Sequence, residues 1–390
     1  MTDQGRAFDL VLFGATGFTG GLTAEYLAAH VPDGCRWALA GRNRGKLKAV
    51  RGRLATFDPT LADLPLLIAD AADPASLRAV AEQARVVVTT VGPYVEHGAG
   101  LVAACAEAGT DYADLTGEPE FVDTTYVAHH ARAVETGARL VHACGFDSIP
   151  HDLGALFTVQ QLPDGVPITM RGMLRTNAAP SGGTFATFVE TMTRTGEMRK
   201  ALAERRKVEP RPEGRRVRAV AKRPHRDRET GYWLVPLPTL DPFVVKRSAA
   251  ALERYGPDFS YAHYAAVKRL PTVVGALAGV GLLAGAAQVG PLRRRILARL
   301  PQGTGPSEEK RARSHFTMRF FAEGGGQTVR TSVSGGDPGY TETAKMLGES
   351  AMCLAFDDNP PTAGQVTTAT AMGQRLTERL IRAGLRFEVA

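Results

Sequence analysis

Cysteine and tryptophan are scarce in this 390-residue chain, with four of the first and two of the second. Cys35, Cys105, Cys144 and Cys353 show no paired or metal-ligand spacing. That argues against a disulfide framework and a cysteine-built zinc site, so a reducing compartment and no metal are expected. The N-terminal Met1, Thr2, Asp3 and Gln4 lack the basic and apolar regions of a secretory leader, and a cytoplasmic location is expected. Repeats and low-complexity tracts are missing too. With 44 % hydrophobic and 22 % charged residues, the chain has length and apolar content for two domains.

What is present begins with a hydrophobic run, Leu10 to Phe13, that leads into Gly14, Ala15, Thr16, Gly17, Phe18, Thr19 and Gly20 and then into a helical stretch. A strand, a glycine turn and a helix in that order make a phosphate cradle. Gly14 permits the tight turn, Gly17 lets backbone N–H groups approach a pyrophosphate, and Gly20 allows close helix packing. The helix N-terminus then faces the anion. A second strand, Trp37 to Ala40, ends in Gly41, Arg42 and Asn43, where an NAD-binding protein usually carries an acid for the ribose hydroxyls. The acid is lacking. Arg42 can fork onto a 2′-phosphate, with Arg44 or Lys46 as further positive charge, so NADP is the expected cofactor.

Strand and helix then alternate. Leu66 to Ala69 closes on Asp70, a helix follows from Pro74 to Gln83, and a buried strand from Val86 to Val91 ends in Gly92, Pro93 and Tyr94. Next come a helix from Gly100 to Ala108, a strand from Tyr112 to Leu115, a helix from Val127 to Thr136 and a strand from Arg139 to Ala143, which opens into Gly145 to Asp152. The pattern predicts a Rossmann-type doubly wound parallel sheet over 1–152, with cofactor contacts from Gly14 to Gly20, Arg42, Asn43, Asp70 and Gly92 to Tyr94. Alternating stretches at Val166 to Asn177, Trp233 to Pro236, His315 to Ala322 and Thr328 to Ser334 predict a second α+β domain, 153–338, on a mainly antiparallel sheet. A helix is expected from Thr184 to Thr195. In 339–390, helices from Gly339 to Leu354 and from Ala363 to Ala383 are expected.

Two segments stand apart. Arg194 to Thr230 holds 14 Lys and Arg against 6 Asp and Glu, a local excess of eight in a chain whose net charge is +7. It reads as a solvated basic loop or as a docking surface for an acidic partner. No aromatic side chain interleaves with it, which argues against nucleic acid. Thr272 to Gly290 carries no charge, between Lys268 and Arg269 on one side and Arg293, Arg294 and Arg295 on the other. It reads as a buried, dimerising or membrane-surface helix rather than a span.

The glycine turn, Ala40 to Asn43, Gly92 to Tyr94, Asp111 to Glu118 and Gly145 to Asp152 together resemble the saccharopine dehydrogenase-like oxidoreductases, and within them the actinobacterial trans-acting enoyl reductases. The resemblance covers almost the whole chain. It implies reduction of a carbon–carbon double bond on a polyketide or lipid-like intermediate, an acyl thioester borne by a carrier or partner synthase. No arginine cluster for an amino-dicarboxylate is evident, but a saccharopine-type amino-acid dehydrogenase and a non-catalytic NADP-binding, membrane-associated scaffold stay open as alternatives. Enoyl reduction needs a placed hydride donor, a stabilised enolate and a proton source. By position after their strands, Tyr94 is expected as a donor near the nicotinamide with His97 close by, His151 as the proton source and Asp147 beside it. Asp147 and His151 can equally cap the helix at Pro150. Cys144, next to this turn, is expected to be a small buried hydrophobe.

Overall fold

The computed structural model describes residues 5–178, 185, 189, 191–220, 223–237, 239–298 and 305–390. β1 (Phe8–Phe13), α1 (Phe18–His30), β2 (Trp37–Gly41), α2 (Arg44–Leu54), β3 (Leu66–Ile68), α3 (Pro74–Gln83) and β4 (Ala84–Thr89) run in strict alternation. They are followed by α4 (Tyr94–His97), α5 (Ala99–Ala108), β5 (Asp111–Asp114), α6 (Pro119–Thr136), β6 (Arg139–Val141) and α7 (Ile149–Val159). β1, β2, β4, β5 and β6 are buried on both faces, as parallel strands under helices must be, and the edge strand β3 is partly exposed. Their order is β6-β5-β4-β1-β2-β3, every pair parallel, so direction of winding reverses between β1 and β4.

The second sheet is built from β7 (Ile168–Thr176), β8 (Arg216–Ala219), β9 (His225–Arg226), β10 (Trp233–Pro236) and β11 (Asp258–Val267), with α8 (Thr195–Val208) before β8 and α9 (Asp241–Ala251) before β11. α10 (Leu270–Gln288), α11 (Gly290–Ala298) and α12 (Glu308–Ala312) then lead to β12 (Phe316–Gly324) and β13 (Gln327–Gly335). Most pairs are antiparallel, with β11 parallel to β7 and to β8. One apolar core runs from Leu10 and Leu12 of β1 through Leu153 of α7 to Phe316 and Phe320 of β12, so the two sheets share their packing.

Three expectations need correction. The basic stretch is no loop: it folds as α8, β8 and β9. Arg205 is 3 % exposed, its guanidinium 3.9 Å over the Tyr126 ring and 3.2 Å from Asp123 of α6. A charge run reads as solvated unless a buried acid waits for it, and Asp123 is that acid. The last helix is broken. Gly364 and Gly373 take positive φ, and the chain forms β14 (Gly364–Val366), α14 (Thr368–Ala371) and α15 (Gly373–Arg382) after α13 (Thr341–Phe356). β14 joins the first sheet beside β6, and β15 (Arg386–Val389) joins the second beside β13, so the C-terminal region is not helical alone. The apolar segment is not buried either: within α10 only Val273 and Ala287 are buried among residues whose exposure is described. Part of the helix expected from Thr184 to Thr195 lies outside the described residues.

Candidate active site

The winding reversal puts two turns side by side. Gly14 takes φ +97°, and a Cβ there would lie 2.7 Å from Val91 Cγ2 and 2.9 Å from Thr90 Oγ1. At Gly20 a Cβ would approach the Gly14 carbonyl oxygen to 2.2 Å. Gly14 is thus demanded by its positive φ and by the Thr90 and Val91 side chains, and Gly20 by close backbone approach, while a Cβ on exposed Gly17 would meet only an ordinary 3.6 Å contact. Gly17 is also the N-cap of α1, where no side chain bonds the first amides and no acid occupies the first turn. Those amides are open to an anion. Thr16 is exposed beside them, Ala15 is buried, and Thr19 turns its carbonyl to the Thr23 hydroxyl. Phe18 packs edge-on against Tyr340, ring centroids 5.0 Å apart.

Arg42 is exposed at the end of β2, and no ion pair engages it among the described residues. Asn43 is exposed and caps α2, its Oδ1 accepting from Lys46 N at 2.9 Å. Asp70 accepts from Ala72 N and shapes the turn after β3. Gly92 and Pro93 reach the rim of the β4 end. A cradle that only glycine fits, an uncapped helix start and an unpaired arginine suit a dinucleotide with a 2′-phosphate.

Tyr94 is placed otherwise than its sequence position suggested. Its ring is in the core, its hydroxyl donates to Thr89 O at 3.1 Å and accepts from Leu115 N at 3.1 Å. Burial holds that hydroxyl well above the ordinary tyrosine pKa. Both hydrogen-bonding directions are used by backbone, so Tyr94 ties the β4 and β5 ends together. Glu118 binds the turn from the other side, accepting from Tyr94 N and Val95 N at 3.0 and 2.7 Å. His97 is exposed, 3.8 Å from Glu96. A cavity of about 250 Å³ opens beside these ends, with Glu118, Glu120, Arg194, Arg293 and Arg294 in its wall.

The turn after β6 is anchored from below. Asp114 of β5 accepts from Ala143 N at 2.9 Å and meets His142 Nδ1 at 2.7 Å. Asp152 of α7 accepts from the Ser248 and Thr368 hydroxyls and from Ala369 N, at 2.5, 2.7 and 2.8 Å. Burial raises Asp152 to about 6. Cys144 is fully buried, as expected.

Held by these anchors, His151 brings Nδ1 to 3.0 Å from Oδ1 of Asp241, and Asp241 Oδ2 lies 3.8 Å from Nε2 of His263 on β11. The Tyr261 hydroxyl is 3.1 Å from His263 Nδ1. All three of the His, Asp and His side chains are buried. Yet both nitrogens of His151, Oδ1 of Asp241 and Nε2 of His263 lack an aligned hydrogen-bond partner among the described residues. Burial alone would raise Asp241, but His151 and His263 outweigh it and keep the carboxyl below its ordinary value. Burial pushes His263 down to about 3, so it is neutral. Half-buried Asp147 is pushed up to about 7, first by burial and then by the charge of Asp241. Asp241 and His263 escaped sequence reasoning because they sit far along the chain, in a helix start and a strand without any motif. The three groups offer donor atoms within 4.8 Å of one another, a donor set that could also accept a divalent cation.

A parallel sheet with a glycine cradle at its switch point defines a dinucleotide-binding fold. Residues 10–141 match the family model described as the saccharopine dehydrogenase NADP binding domain. The chain is 38 % identical over 419 residues to a trans-acting enoyl reductase of Mycobacterium tuberculosis, covering 99 % of this chain and 98 % of that one. It is 37 % identical over 422 residues to a trans-acting enoyl reductase of Mycobacterium ulcerans, again covering 99 % and 98 %. The apo saccharopine dehydrogenase (L-Glu forming) of Saccharomyces cerevisiae shares the fold, with a TM-score of 0.57 at 12 % identity over 98 % of this chain and 100 % of that one. The chain belongs to the trans-acting enoyl reductase family of saccharopine dehydrogenase-like oxidoreductases, and its cofactor is NADP.

Proposed function

We propose that this oxidoreductase reduces the carbon–carbon double bond of an enoyl thioester on a polyketide or lipid-like chain presented by a separate synthase. The names of the full-length relatives support the reaction class. The observation that carries the chemistry is the buried His151, Asp241 and His263 group, four of whose polar atoms lack aligned partners among the described residues, next to an Asp147 that titrates near neutrality. Buried polar atoms without partners are costly in a finished core, and a substrate oxygen or water would satisfy them.

In this reading NADPH supplies the hydride. Gly14, Gly17 and Gly20 with the α1 amides hold the pyrophosphate, and Arg42 holds the 2′-phosphate. Asp147, raised to about 7 so that its acid form is still populated near neutral pH, gives the proton. His151 donates toward the developing enolate oxygen, and Asp241 orients its ring through Nδ1. Tyr94, Asp114 and Asp152 act by positioning the turns. The cofactor unit is 1–152 and the substrate unit 153–338.

Oxidation of NADPH by the purified protein with an enoyl group on pantetheine tests this directly. Turnover with the enoyl thioester and none with its saturated counterpart is expected. Tight NADPH binding without turnover on any enoyl thioester, or turnover only with a 2-oxo acid and an amine, would overturn it.

A further inference from the structure

The longest apolar helix of the molecule faces outward. α10 has 19 residues and no charged side chain, yet Val274 is 59 % and Leu282 77 % exposed. A Cβ added at Gly275, Gly279, Gly281 or Gly285 would meet no atom within 4 Å, so these glycines serve no packing among the described residues. The charges that flank the helix in sequence are of one sign. From Phe259 to Ser307 the sequence has six lysines and arginines, among them Lys268, Arg269 and Arg293 to Arg295, and no aspartate or glutamate.

Topology excludes a span. β11 leads directly into α10, and after α11 and α12 the chain re-enters the same sheet as β12; β11 and β12 both pair with β7. One crossing of a hydrocarbon layer about 30 Å thick would leave β11 and β12 on opposite sides. α11 cannot make the return, since it has nine residues and three consecutive arginines. A second copy docked through α10 is also disfavoured. Parallel or antiparallel, such a pair sets Lys268 and Arg269 or Arg293 to Arg295 beside their like.

We propose that α10 and α11 form a docking element for the surface of an anionic lipid bilayer. α10 lies flat, its outward face at the boundary of headgroups and acyl chains, while Lys268, Arg269 and Arg293 to Arg295 meet lipid phosphates at its two ends. Arg293 and Arg294 also line the cavity beside the β4 and β5 ends, so that cavity opens toward the bilayer and a membrane-held substrate would enter there. The docking itself does not depend on which group is reduced.

Flotation of the full-length protein with vesicles tests the proposal. With phosphatidylcholine vesicles containing phosphatidylglycerol at low salt, about tenfold more protein should float than with phosphatidylcholine alone, and high salt should release it. Val280→Glu with Leu282→Glu should cut flotation about tenfold while NADPH binding is unchanged. Should that pair of changes also abolish NADPH binding, Arg293→Gln with Arg294→Gln and Arg295→Gln takes its place and should weaken binding to the anionic vesicles. Absence of flotation with either vesicle, binding indifferent to phosphatidylglycerol and salt, or a solution dimer dispersed by Leu282→Glu would overturn the proposal. A failed vesicle result leaves NADPH oxidation with a soluble enoyl thioester untouched, so the two readings fail separately.

Discussion

Oδ1 of Asp241 lies 3.0 Å from Nδ1 of His151, joining the first turn of α9 to the first turn of α7. Both helices pack on the second sheet, α7 against β12 and β13 and α9 against β8 and β11, and they also pack on each other.

Asp241→Asn should keep the shape of that contact while removing its charge. We expect kcat for enoyl reduction to fall by about 10²-fold with KM little altered, because a misoriented His151 affects the reduction rather than substrate capture. Steady-state kinetics of the variant check this; a changed KM with unchanged kcat would assign Asp241 to binding.

Asp147 gives the reaction a pH signature. Its carboxyl is raised from 3.8 to about 7, so the acid form prevails below 7, and kcat should decline as pH rises through that value. The stability effect has a matching sign. A carboxyl raised in the folded state favours folding below its unfolded pKa, and that contribution is lost as pH rises through about 7. Asp147→Asn has no charge to bury. Relative to the parent, the variant should gain thermal stability between pH 6 and pH 8, as read by melting curves, and its kcat should lose this pH dependence.

In the proposed reading, cofactor choice rests on Arg42. Arg42→Asp should lower NADPH affinity by about tenfold or more and improve NADH binding, since it replaces the 2′-phosphate partner by an acid suited to ribose hydroxyls. Fluorescence titration with both dinucleotides reads the exchange. Gly20→Ala should do more harm: its Cβ would collide with the Gly14 carbonyl, so both cofactors should bind poorly and the fold should lose about 1–3 kcal/mol.

Arg205 separates a buried ion pair from a surface one. Arg205→Ala leaves Asp123 in the interior with Arg247 as its remaining guanidinium and removes the stacking on Tyr126. A loss of about 3–5 kcal/mol in urea unfolding is expected. Lys207→Ala, whose Glu204 partner is half-exposed, should cost less than about 0.5 kcal/mol.

The cofactor half was legible because its signals are local. A strand, a glycine turn and a helix lie within a few residues, and Gly20 is required by the Gly14 carbonyl six residues before it. Arg42 stands out in the sequence as a cation where an acid is usual, and it is exposed at the end of β2. The buried histidine and aspartate group was only half legible: Asp147 and His151 follow β6, but Asp241 and His263 arrive by the packing of α9 and β11, which no spacing encodes. Tyr94 misled because position at a strand end does not reveal that its hydroxyl is already satisfied by Thr89 and Leu115. Arg205 misled for the opposite cause, a charge whose partner lies in α6. The closing strands β14 and β15 were hidden in an apolar, helix-like sequence, and Gly364 and Gly373 were the cue to their breaks.

Those closing strands bear on how the molecule is made. The ribosome releases β1 to β6 early, but β14 covers the open edge of β6 only when residues 364–366 emerge, and β15 pairs with β13 last of all. Each sheet therefore keeps a bare edge for nearly the whole of synthesis, with a hazard of pairing to other chains during that time. A nascent chain stalled before residue 364 would lack both edge strands at once. Ala390 N donates to Arg330 O at 2.8 Å, so the pairing beside β13 runs one residue beyond β15.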